Sequence, residues 1–156
     1  MDETSAEMEA LQRLIERSAA TAGPAVRKNF ADPAWTMSAR ELINFWGTAR
    51  MASIATVSAS GAVHAAPLEI RLSHGIFHVP HFADAVRLRD LRANARCAIT
   101  AWQDAYHAVI VYGRASLPES DAAGMVDVVV RPTRVYAIRP PSWHHAAEKV
   151  STHDQL

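Results

Sequence analysis

Short β-type runs, each followed by turn residues, make up the sequence from residue 50 to residue 138. Ser58-Ala59-Ser60-Gly61 separates the first two runs, and Ser73-His74-Gly75 separates the next pair. Regularly spaced runs of this kind are typical of an antiparallel sheet or barrel. The runs cover residues 51–57, 62–72, 76–79, 96–102, 107–117 and 125–138, so we predict about six strands.

One short helix interrupts this series between the third and fourth runs. Within residues 84–94, Val86, Leu88 and Leu91 recur among arginines, which favours a helix. Closing the six strands into a barrel would remove the sheet edges that they would otherwise expose. We therefore predict a mainly β fold, a six-stranded antiparallel split β-barrel with a few peripheral helices.

Further helical signals precede the barrel. Apolar residues at helical spacing predict an amphipathic helix over residues 3–19, and residues 21–35 have no periodicity and are interpreted as a linker. Ser38 and Glu41 form a capping-box pattern that begins a second helix, which Gly47 ends. We predict an N-terminal helix and linker over residues 1–36, the barrel domain over 37–140 and a C-terminal tail over 141–156.

Length and charge exclude several classes of function. A chain of 156 residues with 49% hydrophobic residues is the size of one ordinary domain. Sixteen basic residues balance sixteen acidic ones, so we expect no nucleic-acid or membrane partner. Cys97 is the only cysteine, which excludes an internal disulfide. With no secretory or membrane-spanning pattern, we expect a cytoplasmic protein.

Four stretches between residues 50 and 139 have a distinctive order. They are a small-residue hairpin with a proline in its second strand (52–68), the strand 75–79, the basic run 85–96 and the strand 111–115. Together they resemble the pyridoxamine 5'-phosphate oxidase-like split-barrel flavoproteins, the superfamily that also holds the deazaflavin-dependent reductases. The resemblance implies a flavin-binding barrel domain over residues 37–140.

The basic run 85–96 is the most specific of these stretches, and it departs from the family pattern. Where the family commonly has Ser, Lys, Asn and Pro, this chain has Ala85, Arg87, Asp90 and Ala95. Arg87 alone keeps the positive charge, and a guanidinium can bind phosphate in place of an ammonium group. The usual Thr or Ser after the third strand is His81 here.

The resemblance also implies a set of cofactor-binding residues. In the family the flavin lies across a homodimer interface, which makes Arg87 the phosphate anchor and Pro67, Leu68 and Glu69 the strand segment that faces the ring. His81 could donate to a phosphate or ribityl oxygen, and Trp102 and Gln103 could supply a stacking ring and an amide at the end of the fourth strand.

Histidines invite a metal hypothesis, which their spacing opposes. His78 and His81 are an odd number of residues apart, so on one strand they face opposite sides, and no ligand motif accompanies them. We predict no metal site. Cys97, inside an apolar run, is expected to be a buried inert thiol. Weaker candidates for a ligand role are His64, His74 and His107, together with His144 and His145 in the tail.

The functional expectation follows from the resemblance. It is an FMN-binding oxidoreductase that transfers hydride between the flavin and a small organic substrate, so that no protein nucleophile is needed. An alternative is the 8-hydroxy-5-deazaflavin coenzyme, whose anionic tail would contact Arg87 and Arg89, with Arg71 as a further candidate. A second alternative is a heme- or tetrapyrrole-handling barrel, and a third is a barrel that binds a ligand without catalysis.

Overall fold

The computed structural model describes residues 3–28 and 32–141 of the chain. Within them six antiparallel strands close into a barrel in the order β1-β2-β3-β6-β5-β4, which confirms the predicted mainly β fold. The strands are β1 (Ala49–Val57), β2 (Val63–Ser73), β3 (Ile76–Phe82), β4 (Arg96–Trp102), β5 (Ala108–Ser116) and β6 (Met125–Ile138). The helices are α1 (Ser5–Ala20), α2 (Pro24–Lys28), α3 (Ala39–Trp46) and α4 (Val86–Ala93), with a 3-10 turn at Pro33–Trp35.

Alternating side chains fill the barrel. In β4, Cys97, Ile99 and Ala101 are buried, whereas Arg96 and Trp102 at the strand ends are exposed. The same period of two places one apolar row of each strand inside, where burial stabilises the fold. The fully buried barrel residues include Ile54, Ile70, Phe77, Val79, Ile99, Val109, Val111, Val128 and Val130.

The barrel opens between β2 and β3. β2 pairs with β1 over residues 63–71, but in the described part of the chain its pairing with β3 covers only Arg71–Ser73. Pro67 lies in the half of β2 that has this open side, and proline within a sheet is typical of such an edge.

Most predicted boundaries lie within two residues of the observed ones, and two predictions differ by more. β3 continues past Val79 to Phe82, because the long strand β6 supplies pairing partners as far as Met125. Residues 21–35 contain α2 and the 3-10 turn, where the Asp32 side chain accepts from the Ala34 N–H and Pro33 begins the turn. Local capping of this kind produces short helices that a period of 3.6 residues does not reveal.

The N-terminal helix packs against the barrel. Leu11, Leu14 and Ile15 of α1 are buried, and α1 contacts β6 and α3. Ser18 connects α1 to the barrel, because its Oγ donates to the Leu14 carbonyl of α1 (2.6 Å) and accepts from the Val135 N–H of β6 (2.9 Å). No helix in the described ranges is long and apolar enough to cross a membrane.

Candidate functional site

A histidine beneath α4 holds the predicted phosphate anchor. His81 faces the barrel interior and is only 2% exposed, and its Nδ1 lies 3.0 Å from the Val79 carbonyl, to which the N–H donates. The other ring nitrogen, Nε2, accepts from Nε–H of Arg87 at 3.3 Å. Burial lowers the pKa of His81, and the charge of Arg87 adds to this, against the opposing effect of the Val79 carbonyl. His81 is therefore a neutral acceptor that orients a guanidinium.

Arg87 lies in the first turn of α4, beside the backbone N–H groups that begin the helix, of which the Leu88 N–H already donates to the Ala85 carbonyl (3.0 Å). The helix begins after Ala85, and within the described residues no side chain caps it. The N–H groups at a helix N-terminus attract anions, and the aligned peptide dipoles add to the effect. No described carboxylate forms an ion pair with Arg87. The end of α4 thus presents a guanidinium and free amides to an anion, without the hydroxyl that Ala85 replaces.

The structure changes what His81 can do in this site. Both of its ring nitrogens are engaged, one by the Val79 carbonyl and the other by Arg87. The neutral ring has one donor and one acceptor, so it has no donor left for a phosphate or ribityl oxygen. His81 is placed to position Arg87 rather than to contact a ligand itself.

An apolar surface lies on the outside of β2, β1, β4 and β5, and we name it the outer apolar face. The strand register aligns Pro67 with Ser53, Ser53 with Thr100, and Thr100 with Ile110 across it. A second row on this face is Ala65, Ala55, Ala98 and Tyr112. Larger exposed side chains complete it, namely Met51 (60% exposed), Val63 (68%), Trp102 (62%) and Tyr112 (46%).

The outer apolar face contains part of the predicted ring-facing segment. Pro67 and Glu69 are exposed on this side of β2, whereas Leu68 faces inward and packs against the core. A ligand on the outer face could reach only the backbone of Leu68. Trp102 lies on the same face at the end of β4, and Gln103 follows it in an exposed turn, where its N–H donates to the His107 carbonyl (2.9 Å).

The three arginines considered for a longer anionic tail lie apart. Arg71 on β2 forms an ion pair with Asp127 of β6, with Nη2 and Oδ2 2.9 Å apart. Arg89 is two residues beyond Arg87 on α4, which places the two on nearly opposite sides of the helix. Arg87 contacts β3 through His81, whereas Arg89 lines a pocket beside the β1–β2 turn.

The described histidines lie beside separate partners. Among the residues that the structure covers, no three His, Cys, Asp or Glu side chains come together as metal ligands would. Four imidazoles contact four different polar partners by Nδ1: His64 with Asp90, His74 with Glu7, His78 with Asp127 and His107 with Asp104. His144 and His145 lie outside the described residues. Burial raises the pKa of Cys97 to about 11, as expected of an inert thiol.

A buried polar cluster was missed by sequence reasoning. Asp90 of α4 is 2% exposed, and its Oδ2 accepts from Oγ1 of Thr56 (2.7 Å) and lies 2.7 Å from Nδ1 of His64. Burial alone would raise the pKa of Asp90, but the bonds from Thr56 and His64 outweigh it and hold the pKa below its usual value. The only sequence signal was Asp90 itself, an acid where the resembling family commonly has an amide.

Comparison of whole sequences finds nothing similar: no protein-family model matches the chain, and no curated protein matches it.

Comparison of structures finds the same barrel in several proteins. An F420 reductase is 18% identical, with a TM-score of 0.54 over 60% of this chain and 94% of its own. A candidate pyridoxamine 5'-phosphate oxidase from Listeria innocua is 13% identical, with a TM-score of 0.54 over 63% and 94%. HutZ, the heme storage protein from Vibrio cholerae, is 14% identical, with a TM-score of 0.55 over 64% and 93%. At this level of identity the similarity establishes a shared fold.

Proposed function

Because the chain has the split-barrel fold of pyridoxamine 5'-phosphate oxidase-like proteins, we propose that it is an FMN-dependent oxidoreductase that acts as a homodimer. The fold alone does not select this function, since structures with the same barrel include a heme storage protein. The position of Arg87 supports flavin nucleotide binding. The resemblance gives Arg87 the role of the family's basic phosphate anchor, and its Nε–H donates to neutral His81.

The anchor suits a phosphate monoester. Arg87 uses Nε–H to bond His81, which leaves its two terminal amino groups for phosphate oxygens. The first backbone N–H groups of α4 add donors on the same side, and the helix dipole favours the negative charge. This arrangement compensates for the hydroxyl that is missing at Ala85.

The remaining cofactor residues orient the ring. In the proposed dimer, Pro67, Glu69 and the backbone of Leu68 line the ring side of β2, and Trp102 and Gln103 approach it from the end of β4. Glu69 provides a carboxylate that can accept from a ring N–H or from a cationic substrate. Bound FMN supplies the hydride chemistry, and the protein binds it, orients it and excludes water.

The outer apolar face supports the homodimer. Monomeric soluble proteins rarely expose a large apolar patch, and here exposed apolar and small side chains extend across four strands, with Ser53 and Thr100 between them. Its small central side chains, alanines among them, permit close approach of a second sheet. An isologous dimer packs the same face of both subunits together, and this is the role that we propose for the outer apolar face.

Substitution of Arg87 tests the proposal. Arg87→Ala should weaken FMN binding by about 1.5–3 kcal/mol, the usual contribution of a charged hydrogen bond, which is a rise in Kd of roughly 10- to 150-fold. Quenching of flavin fluorescence during titration of the full chain measures this. Arg92→Ala is the matched control, because Arg92 is exposed on the same helix.

The same titration separates the alternatives. The fold similarity to an F420 reductase favours 8-hydroxy-5-deazaflavin as the second candidate coenzyme, with Arg87 again as the anchor. If that coenzyme binds more tightly than FMN, it takes the place of FMN as the proposed cofactor. A Soret band on addition of hemin, with no binding of either flavin, would favour tetrapyrrole handling. Equal losses of affinity in Arg87→Ala and Arg92→Ala would contradict the anchor.

A further inference from the structure

A second polar site lies on the other side of α4. The turn between β1 and β2 and the second half of α4 border an open groove with a volume of about 420 Å³, which we name the hairpin pocket. This volume is within the usual range for small-molecule sites. Its walls are Ser58, Ala59, Ser60, Ala62 and His64 on the hairpin, and Arg89, Asp90 and Ala93 on α4.

The floor of the hairpin pocket is rigidly built. Asp90 and Thr56 are 2% and 0% exposed, and the carboxylate joins α4 to both strands through its bonds to Thr56 and His64. Because ionised Asp90 only accepts hydrogen bonds, Nδ1 of His64 must donate to it. The imidazole is therefore held with Nε2 as its remaining polar atom, and no described residue contacts Nε2.

The remaining polar groups of the pocket suit an anion. Arg89 is exposed and forms no ion pair with any described carboxylate, although it lies near enough to help lower the pKa of Asp90. Oγ of Ser58 accepts from the Ala62 N–H (3.0 Å) and lies 3.0 Å from Oγ of Ser60. When Ser58 donates to Ser60, the Ser60 hydroxyl is left to donate to a ligand.

We propose that the hairpin pocket binds the phosphate group of a small molecule, with Arg89, His64 and Ser60 as its contacts. The guanidinium offers a planar pair of donors that matches two phosphate oxygens. Nε2 of His64 complements phosphate in either protonation state, because the neutral ring accepts from a P–O–H group and the protonated ring donates to an ionised oxygen.

The hairpin pocket is separate from the Arg87 site. Arg87 contacts His81 on β3, whereas Arg89 and Asp90 face the β1–β2 turn. The ligand proposed here is therefore additional to a flavin nucleotide, and the inference does not depend on the cofactor.

The NMR signal of the His64 imidazole can report binding of phosphate in the hairpin pocket. In ¹H–¹³C spectra of the full chain, titration with methyl phosphate should shift the His64 ring resonance saturably. Arg89→Gln should weaken this titration about tenfold, the effect of losing one charged hydrogen bond. Arg92→Gln and Arg87→Gln should leave it unchanged, the first as a matched exposed arginine and the second as the residue of the other site. His64→Gln assigns the resonance.

Three results would overturn the inference. The first is a His64 resonance that does not respond to methyl phosphate. The second is an Arg92→Gln effect as large as that of Arg89→Gln, which would indicate nonspecific attraction to the helix. The third is acetate binding as tightly as methyl phosphate, which would contradict a phosphate-specific site.

Discussion

At the scale of single residues, the candidate site differs from the pattern of the family that the chain resembles at two positions that contact each other, Arg87 and His81. A long guanidinium in place of an ammonium group needs a partner that orients it, and His81 supplies an acceptor at the position where a hydroxyl is usual. A neutral imidazole suits this role, because a protonated one would have no lone pair for Nε–H of Arg87 and would repel its charge.

Burial of neutral His81 predicts a pH dependence of stability. Its pKa in the folded state is lowered from 6.5, whereas the unfolded chain binds the proton near 6.5. The unfolded state then holds more protons below that pH, so the free energy of unfolding should fall as the pH decreases below about 6.5. Urea unfolding between neutral and mildly acidic pH measures this, and His81→Gln should reduce the slope.

The control for this dependence is a more exposed histidine. His74 lies in the β2–β3 turn with a φ of 54°, so His74→Asn keeps a residue that tolerates that conformation. His74 also lowers the pKa of Glu7, so the comparison is made near pH 6.5, above the range in which Glu7 titrates. There His74→Asn should retain the slope of the unaltered chain. If His81→Gln and His74→Asn change the slope equally, the buried imidazole is not its source.

At the scale of elements, the contact between β5 and β6 depends on a glycine. The register shifts between Tyr112 and Gly113, and a Cβ at Gly113 would lie 2.6 Å from Cγ1 of Val130 and 2.8 Å from the Arg131 carbonyl oxygen. The carbonyl belongs to the backbone of β6 and cannot move aside as a flexible side chain would.

Gly113→Ala should therefore destabilise the barrel. We expect a loss of about 1–3 kcal/mol in the free energy of unfolding, the usual cost of overpacking. Urea or thermal unfolding followed by circular dichroism measures it. Gly23→Ala is the control, because a Cβ there meets nothing within 4 Å. Equal unfolding midpoints for the two variants would contradict the close approach.

Docking of α1 on the barrel depends on a buried hydroxyl. Ser18→Ala would leave the Val135 N–H buried without its acceptor, which costs about 1–3 kcal/mol. Chemical unfolding measures this loss. Hydrogen exchange at the Val135 amide should also become faster. Ser116→Ala, at an exposed serine, should have little effect. Unchanged stability of Ser18→Ala would mean that α1 is held by apolar packing alone.

At the scale of the whole molecule, the outer apolar face predicts the oligomeric state. Met51→Asp places a charge on this face and should convert a dimer into a monomer, because burying an unpaired carboxylate opposes association. Light scattering after gel filtration measures the mass. Val26→Asp, at a partly exposed valine on α2, is the matched control. A monomeric unaltered chain, or a Met51→Asp variant that stays dimeric, would contradict the proposed interface.

Local patterns in the sequence predicted the six strands and the three longer helices, but not α2 or the 3-10 turn. The strands Arg96–Trp102 and Met125–Ile138 have the predicted bounds, and the capping box at Ser38 and Glu41 begins α3 as expected. These features depend on neighbours a few residues apart: a period of two for strands and hydrogen bonds over three residues for a cap. The resemblance located Arg87 in the same way, by its place in one short run.

Hydrogen bonds between residues far apart in the sequence could be identified only from the tertiary structure. Thr56 and Asp90 are 34 residues apart, and Ser18 and Val135 are 117 apart. Side-chain periodicity shows which residues of a strand face inward, but the strand order and register decide which of them meet. For that reason the contact between neutral His81 and Arg87 and the buried Asp90 cluster follow from packing, and no local pattern in the chain predicts them.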